Sequence, residues 1–421
     1  MKFLHAADIH LDSPLRGLER YEGAPVAAIR GATRLAFERL VDLAIEEEVA
    51  FLLLAGDLYD GDWKDYNTGL FFAAQMSRLR EAGIRAFVIA GNHDAASQIT
   101  RVLRPPENVK VFSTKRPETV LLKDLGVAIH GQGFASAAVT EDLAAGYPAA
   151  VPHLFNIGLL HTSLDGREGH ASYAPCSVDG LRSRGYQYWA LGHVHVREVV
   201  ARDPWIVFPG NLQGRHARET GAKGATLVTV DGREVVRAEH RDVDVFRWAT
   251  CPVSLAGVTG AGEALDRVQR ALEAALDASD GRPLAARIRL EGACPIHDEL
   301  AADPERWIAE IRALASGFGD GALWIEKVQV RTRRSGDLAA LERDDALGGL
   351  LRTVRELADD EAGLSALAES FGDLERKLPP ELFDDSEAGR PTDPARLRLL
   401  LDEARDLLLA RLLASPEALE A

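Results

Sequence analysis

Seven side chains of metal-ligand type follow one another along the first half of the sequence, each at the end of a short apolar run. They are Asp8 and His10 in "AADIH", Asp57 in "AGDLYD", Asn92 in "AGNHD", His161 in "GLLHTS", and His193 and His195 in "LGHVH". Carboxylate, amide and imidazole without thiolate suit manganese, iron or zinc better than an all-oxygen magnesium or calcium cage. Seven such groups exceed what one ion with open coordination positions needs, so two ions sharing a bridging carboxylate fit better. Each motif alone also reads as a strand end that opens a turn or caps a helix; it is the ordered set that carries the reading.

The elements that must position these groups are legible as apolar runs. "KFLHAA", "VAFLLLA", "IRAFVIA", "VAIHGQG", "FNIGLL", "YQYWALG", "WIVFPG" and "ATLVTV" read as strands, and "ATRLAFERLVDLAIEEE" and "NTGLFFAAQMSRLREAG" as amphipathic helices between the early ones. Near-continuous apolar strands alternating with helices indicate an α/β layered fold. Because the later strands follow one another with fewer helices, a two-sheet sandwich flanked by helices is expected over a simple parallel sheet. Ligands gather at the carboxyl ends of strands in such folds. Asp8 and His10, and likewise His193 and His195, are two apart and on extended backbone would point to the same side. Gly56, Gly91 and Gly192 are expected to let the chain turn sharply there.

At 421 residues, with 46% hydrophobic and 27% charged, the chain is an ordinary globular protein too long for one core. Three divisions are expected: 1–245 carrying the ligands, 246–335 a small β-α-β-α-β module, and 336–421 helical. The first residues meet carboxylates at Asp8 and Asp12, which leaves no room for a signal or spanning run and predicts a cytoplasmic location. Cys176, Cys251 and Cys294 lack any paired spacing and read as reduced structural thiols. A net charge of -16 argues against bulk electrostatic coating of nucleic acid, though not against a local basic groove. In the module, "AARIRLE" puts Ala286, Ile288 and Leu290 on one face and Arg287, Arg289 and Glu291 on the other. "KVQVR" likewise sets Lys327, Gln329 and Arg331 opposite Val328 and Val330. Such a basic face could steer nucleic acid; a merely solvated face is the competing reading.

The motifs "DIH", "GD", "GNHD", "LLHTS" and "GHVH", each behind a strand, resemble the calcineurin-like metallophosphoesterases. Within them "HAADIHLDSPLRGL", "HTSLDGREGHASYAP" and "PGNLQGRHARETGAKG" resemble the SbcD-like DNA repair exonucleases, especially the YhaO-like bacterial branch. The resemblance implies a metallophosphoesterase sandwich with an accessory cap module that guides DNA. It implies that Asp8, His10, Asp57 and His195 hold one divalent ion and Asp57, Asn92, His161 and His193 the other, with manganese favoured over iron or zinc. Two ions about 3.5 to 4 Å apart clamp a phosphate and ease deprotonation of a water between them, which attacks phosphorus in line. His93 is the expected general acid, and Asp60 the carboxylate that orients it, with Asp94 as competitor and a helix cap as the alternative role for Asp60.

Arg215, His216, Lys223 and His170 are candidate substrate-phosphate contacts. His5 and His130, inside apolar runs, read as core histidines, and Asp12 as a turn former. "PTDPARLRLLLDEARDLLLARLL" predicts a helix capped by Asp393 with Pro394 at its first position and a stripe of Leu397, Leu400, Leu401, Ala404, Leu408 and Leu412. That stripe packs on its own domain or, as the resemblance implies, docks an SbcC-like coiled-coil ATPase; a homodimer is a further expectation. The activity expected is DNA phosphodiester hydrolysis by an exonuclease that also nicks single strands. The alternatives are a phosphoesterase of the same fold acting on small nucleotides or phosphoproteins, and a non-catalytic subunit of an ATPase complex.

Overall fold

The computed structural model describes residues 1–13, 25–60, 66–96, 106–166, 172–319, 321–335, 346–377, 390 and 392–414. The ligand-bearing half is built from two six-stranded sheets packed face to face. The first has the order β12-β11-β1-β2-β3-β4, with β1 Lys2–Ala6, β2 Phe51–Ala55, β3 Arg85–Ile89, β4 Val109–Val111, β11 Gly224–Asp231 and β12 Glu234–Asp242. The second has the order β5-β6-β7-β8-β10-β9, with β5 Glu118–Leu122, β6 Val127–Gly131, β7 Phe155–His161, β8 Tyr188–Gly192, β9 Glu198–Arg202 and β10 Trp205–Phe208. Strands β1 to β4 run parallel, as do β6, β7, β8 and β10; antiparallel pairing adds β11 and β12 at one side of the first sheet and β5 and β9 at the two edges of the second.

Side-chain alternation sorts the apolar residues into layers. From β1, β2 and β3, Phe3, Phe51, Leu53, Phe87 and Ile89 point between the sheets, where they meet Ile157 and Leu159 of β7 and Tyr188 and Ala190 of β8. Their neighbours Leu4, Leu52, Leu54, Ala86 and Val88 point the other way, onto helices α1 Val26–Glu46 and α2 Tyr66–Glu81 through Phe37, Leu40, Val41 and Met76. Leu160, Trp189 and Leu191 form a third layer with Leu181 and Tyr147. Strands buried on both faces need apolar residues at every position, which is why these runs are continuous rather than alternating.

Three further strands, Arg247–Ser254, Leu284–Cys294 and Leu323–Arg334, form a sheet in that order, with helices Ala261–Asp277 and Pro304–Ser316 among the elements between them. This is the expected β-α-β-α-β succession. Compactness divides the chain differently: one unit holds Met1–Thr250, Ala275–Ala286 and Gly319–Glu326, the other Cys251–Ala274, Arg287–Phe318 and Lys327–Ala421. The strand starts Ala285 and Trp324 count with the first unit because they share a core with Phe246, Trp248 and Ile29. Within the second unit lie helices Ala346–Asp359, Glu361–Lys377 and Pro394–Ala414.

The last helix begins at Pro394, and Asp393 Oδ1 accepts from Ala395 N at 3.0 Å. Its expected stripe holds only at first. Leu397, Leu400 and Leu401 pack on Leu364 and Ala368, but Ala404 and Leu408 are exposed while Leu409 is buried. The buried face drifts because a second helix, His297–Ala302, receives the later turns. All three cysteines are buried and unpaired. Among the described residues no helix is long and apolar enough to cross a membrane.

His5 and His130 are fully buried. His5 Nδ1 lies 3.0 Å from Tyr188 Oη and Nε2 3.1 Å from the Leu191 carbonyl. Burial pushes the His5 imidazole down to about 3. A folded value below the unfolded one of about 6.5 means that stability is intact above pH 6.5 and is lost as pH falls towards 3. Metal-free protein should therefore lose stability relative to His5→Gln by about 1.4 kcal/mol per pH unit below pH 6, read as the difference in urea midpoints converted by the denaturant slope.

Candidate metal centre

The carboxyl ends of β1, β2, β3, β7 and β8 converge. Asp8 N donates to Gly56 O at 3.0 Å, and Ile9 N and His10 N both donate to Asp57 O, so the loops after β1 and β2 are stitched together. The loop after β3 joins through Asp94, whose carboxylate accepts from Gly91 N, Leu58 N and Tyr59 N at 3.0, 3.1 and 2.9 Å. His93 N donates to Asp57 Oδ1 at 2.9 Å, and His193 N to the Asp8 carboxylate at 3.0 and 3.1 Å. Each sheet thus holds a carboxylate of the site through a main-chain amide.

The convergence is not the pleat's doing. Asp8, His10, Asp57 and His193 all have positive φ, at 51°, 47°, 52° and 103°. Extended geometry ends before each of them, and a left-handed turn aims the side chain inward at a backbone cost of order 1 kcal/mol or more apiece. His193 and His195 accordingly go to different clusters instead of acting as a same-side pair. The glycines also act otherwise than expected. Gly56 does adopt a positive φ of 93°, but at Gly91 and Gly192 the need is room: a Cβ on Gly91 would stand 2.2 Å from Asp57 Oδ1, and one on Gly192 would stand 2.0 Å from Ala55 O.

Three overlapping groups of ligand-type atoms result among the described residues: Asp8 with His10 and His195, Asp57 with His161 and His193, and His10 again with Asp60 and His93. Asp57 Oδ2 lies 4.0 Å from His10 Nε2 and 3.5 Å from His161 Nε2, within reach of the first two groups. Asn92 Oδ1 is 3.0 Å from His161 Nε2. Two imidazoles, His161 and His195, are hydrogen-bonded through Nδ1 to an oxygen, and His10 faces one at longer range without a hydrogen bond. Nδ1 of His161 faces Ala55 O at 2.9 Å, that of His195 faces Glu219 Oε1 at 2.6 Å, and that of His10 faces Asp60 Oδ1 at 3.5 Å, which turns every Nε2 inward. His10 Nε2 and His195 Nε2 end 3.3 Å apart. Lone pairs set against each other and against carboxylates need either protons or a cation among them, and an oxygen acceptor behind an imidazole is the usual support of metal-bound histidine. The residues therefore fit a pair of divalent ions.

The electrostatics agree. Burial pushes the Asp8 carboxyl up. Burial acts the same way on Asp57, but His161, His10 and His93 outweigh it and hold that group ionised. His161 is penalised by burial yet raised to about 9 by Asp57, so that a proton and a divalent cation compete for its lone pair. Burial followed by Arg215 lowers His10 to about 3, the neutral form a ligand needs.

His93 stands beside the first two groups, its ring 4.8 Å from that of His10, with Nδ1 2.8 Å from Asp60 Oδ1. Asp60 Oδ2 accepts from Ser13 Oγ at 2.6 Å. Of the two carboxylates weighed for His93, Asp60 touches it and Asp94 is occupied by backbone. Burial lowers the His93 imidazolium, but Asp60 and Asp57 prevail and raise it above the ordinary histidine value. Arg215 lies near by, 3.8 Å from Asp60 Oδ2 and 3.6 Å from Glu219 Oε1. His216 is half-exposed, 3.6 Å from Glu219. Lys223 is buried with Nζ 3.1 Å from His195 O, so its charge faces the frame of the site and not its mouth. Asp12 binds Arg34 and Thr68, tying the segment after β1 to α1 and α2. His170 lies outside the described residues. Glu219 was missed by sequence reasoning: it closes no apolar run, and its one signal is its place in the polar stretch "QGRHARETGAK".

Residues 1–197 match the family model of the calcineurin-like phosphoesterases, and 248–333 match that of the middle domain of the metallophosphoesterase YhaO. An uncharacterized metallophosphoesterase YhaO of Bacillus subtilis is 34% identical over 373 residues, covering 86% of this chain and 90% of that one. The chain belongs to the calcineurin-like metallophosphoesterases. Proteins named DNA double-strand break repair protein Mre11 are also similar: that of Sulfurisphaera tokodaii is 27% identical over 58% of this chain, and that of Methanopyrus kandleri 28% identical over 64%. The match spans 63% of each of those two. As a metallophosphoesterase the chain is a metal-dependent hydrolase whose fold binds two divalent ions.

Gly91→Ala should leave a folded protein but displace the Asp57 carboxylate. Bound manganese after dialysis, counted by mass spectrometry, is expected to fall from two equivalents per chain to below one.

Proposed function

We propose that this metallophosphoesterase hydrolyses DNA phosphodiester bonds as an exonuclease, with a nicking activity on single strands, and uses manganese. The observation that carries the reading is the His93–Asp60 pair at 2.8 Å, set against His10 at the edge of a ligand group for paired ions. When bound, the ions supply a doubly positive seat for a phosphate and lower the pKa of water held there. The chain's residues do the rest. Asp60 fixes His93 with Nδ1 occupied, so that Nε2 carries the proton offered to the departing sugar oxygen. Arg215, between Asp60 and Glu219, adds positive charge beside that oxygen. The buried floor of Asp8, Asp57 and His161 excludes bulk water beneath the phosphate.

DNA is favoured over small phosphoesters by the likeness to the Mre11 proteins over more than half of the chain. The exposed side chains of Lys327, Arg331 and Arg333 on the strand Leu323–Arg334 are consistent with a path for a polyanion. The helical region from 346 onward would dock an SbcC-like coiled-coil ATPase, and two copies would form the homodimer.

With manganese, end-labelled linear DNA should be degraded. Cleavage of cyclic nucleotides or phosphomonoesters with DNA left intact would instead favour the small-substrate reading. His93→Ala should lower kcat on DNA by roughly 10²-fold or more with two manganese ions still bound; undiminished hydrolysis by that variant removes the acid from His93.

A further inference from the structure

The imidazoles of the centre are braced from two sources. His161 rests on main chain of the first sheet, its Nδ1 on Ala55 O, and Asp57 is fixed by His93 N. His195 depends on a loop. Its Nδ1 lies 2.6 Å from Glu219 Oε1, and its carbonyl accepts from Lys223 Nζ at 3.1 Å. Both partners come from residues 213–223, between β10 and β11. Glu219 is itself buried and held, because Oε2 accepts from Asn211 Nδ2 at 3.0 Å and from Arg215 N at 2.7 Å. Lys223 N in turn donates to the buried Asp244, which also binds Arg247 and Arg282 at 2.9 and 2.8 Å. The two ligand groups share Asp57, and His193 N holds Asp8, but their imidazoles are braced differently: main chain at a strand end carries His161, while one loop carries His195.

We propose that Glu219 is the positioning residue for the first ion, fixing His195 with its proton on Nδ1 and Nε2 turned to Asp8 and His10, so that occupancy of the first site is set by loop 213–223 separately from the second. The inference rests on the two-ion reading of the centre. It predicts an asymmetric metal dependence, in which disturbing the loop removes one ion and spares the other.

The test is manganese binding to the full chain, by calorimetry and by electron paramagnetic resonance, for wild type, Glu219→Ala and Glu219→Gln. Wild type should bind two equivalents and give the signal of a coupled pair. Glu219→Ala should weaken one site about tenfold to a hundredfold, leave the other within twofold, and show the six-line signal of isolated manganese at one equivalent. Glu219→Gln keeps an acceptor oxygen for the imidazole and should restore most of the lost affinity. Two unchanged sites in Glu219→Ala, or equal weakening of both in a variant whose circular dichroism matches wild type, would overturn the assignment. Should Glu219→Ala fail to fold, Glu219→Met, close in size and without an oxygen for the imidazole, decides: a selective loss at one site supports the proposal, and no loss or equal loss at both refutes it. A wild-type chain that binds a single ion refutes the two-ion reading itself, a result distinct from either.

Discussion

Two carboxylates, Asp8 and Asp57, are buried to 1% exposure at the meeting point of two sheets, and an unpaired charge in such a place costs several kcal/mol. Everything around them answers that cost. The main-chain amide of His93 donates to Asp57 from the neighbouring loop and that of His193 to Asp8 from the other sheet, and imidazoles crowd them. Four residues accept left-handed backbone to bring this about, a strain that persists because the layers on either side over-determine it. A divalent cation completes the balance that the protein alone reaches only with protons.

The same constraint explains which small residues are indispensable. Gly91 marks where the loop after β3 passes against Asp57, and Gly192 where the end of β8 passes against the end of β2 in the other sheet, each with no room for a methyl group. Asp94 has a similar part: its three amide contacts spread over two loops fix the height at which Asp57 and Asn92 are presented. Functional groups and their scaffolding alternate within single tripeptides, as in Asn92, His93 and Asp94, of which one lies among ligands, one stands beside them and one holds the frame.

The eight apolar runs read from the sequence all became strands, and the four strands that escaped notice, β4, β5, β9 and β12, are the outer strands of the two sheets. Outer strands are half-exposed and carry polar residues, as in β9 and β12, so they lack the continuous apolar signature of strands covered on both faces. The ligands were legible for the same reason the central strands were, since each closes such a run. Glu219 was not, because a loop carboxylate gains its role from tertiary contact alone. The sequence placed Lys223 among the substrate contacts through its position in a basic stretch, whereas the fold turns it inward to His195. Period-two reasoning named the right residues at Asp8 and His10 by the wrong route, for the backbone there is not extended.

The strand that begins the chain sits in the interior of its sheet, with Lys2 opposite Thr229 on one side and Phe3 beside Phe51 on the other. One flank of β1 therefore stays open during synthesis until β11 has been made. Contacts so distant in sequence slow folding and leave an unpaired strand edge available to neighbours. A nascent chain that ends before β11 carries all seven ligands yet lacks the strand that pairs the open flank of β1, so the frame that brings them together is completed only once β11 is made.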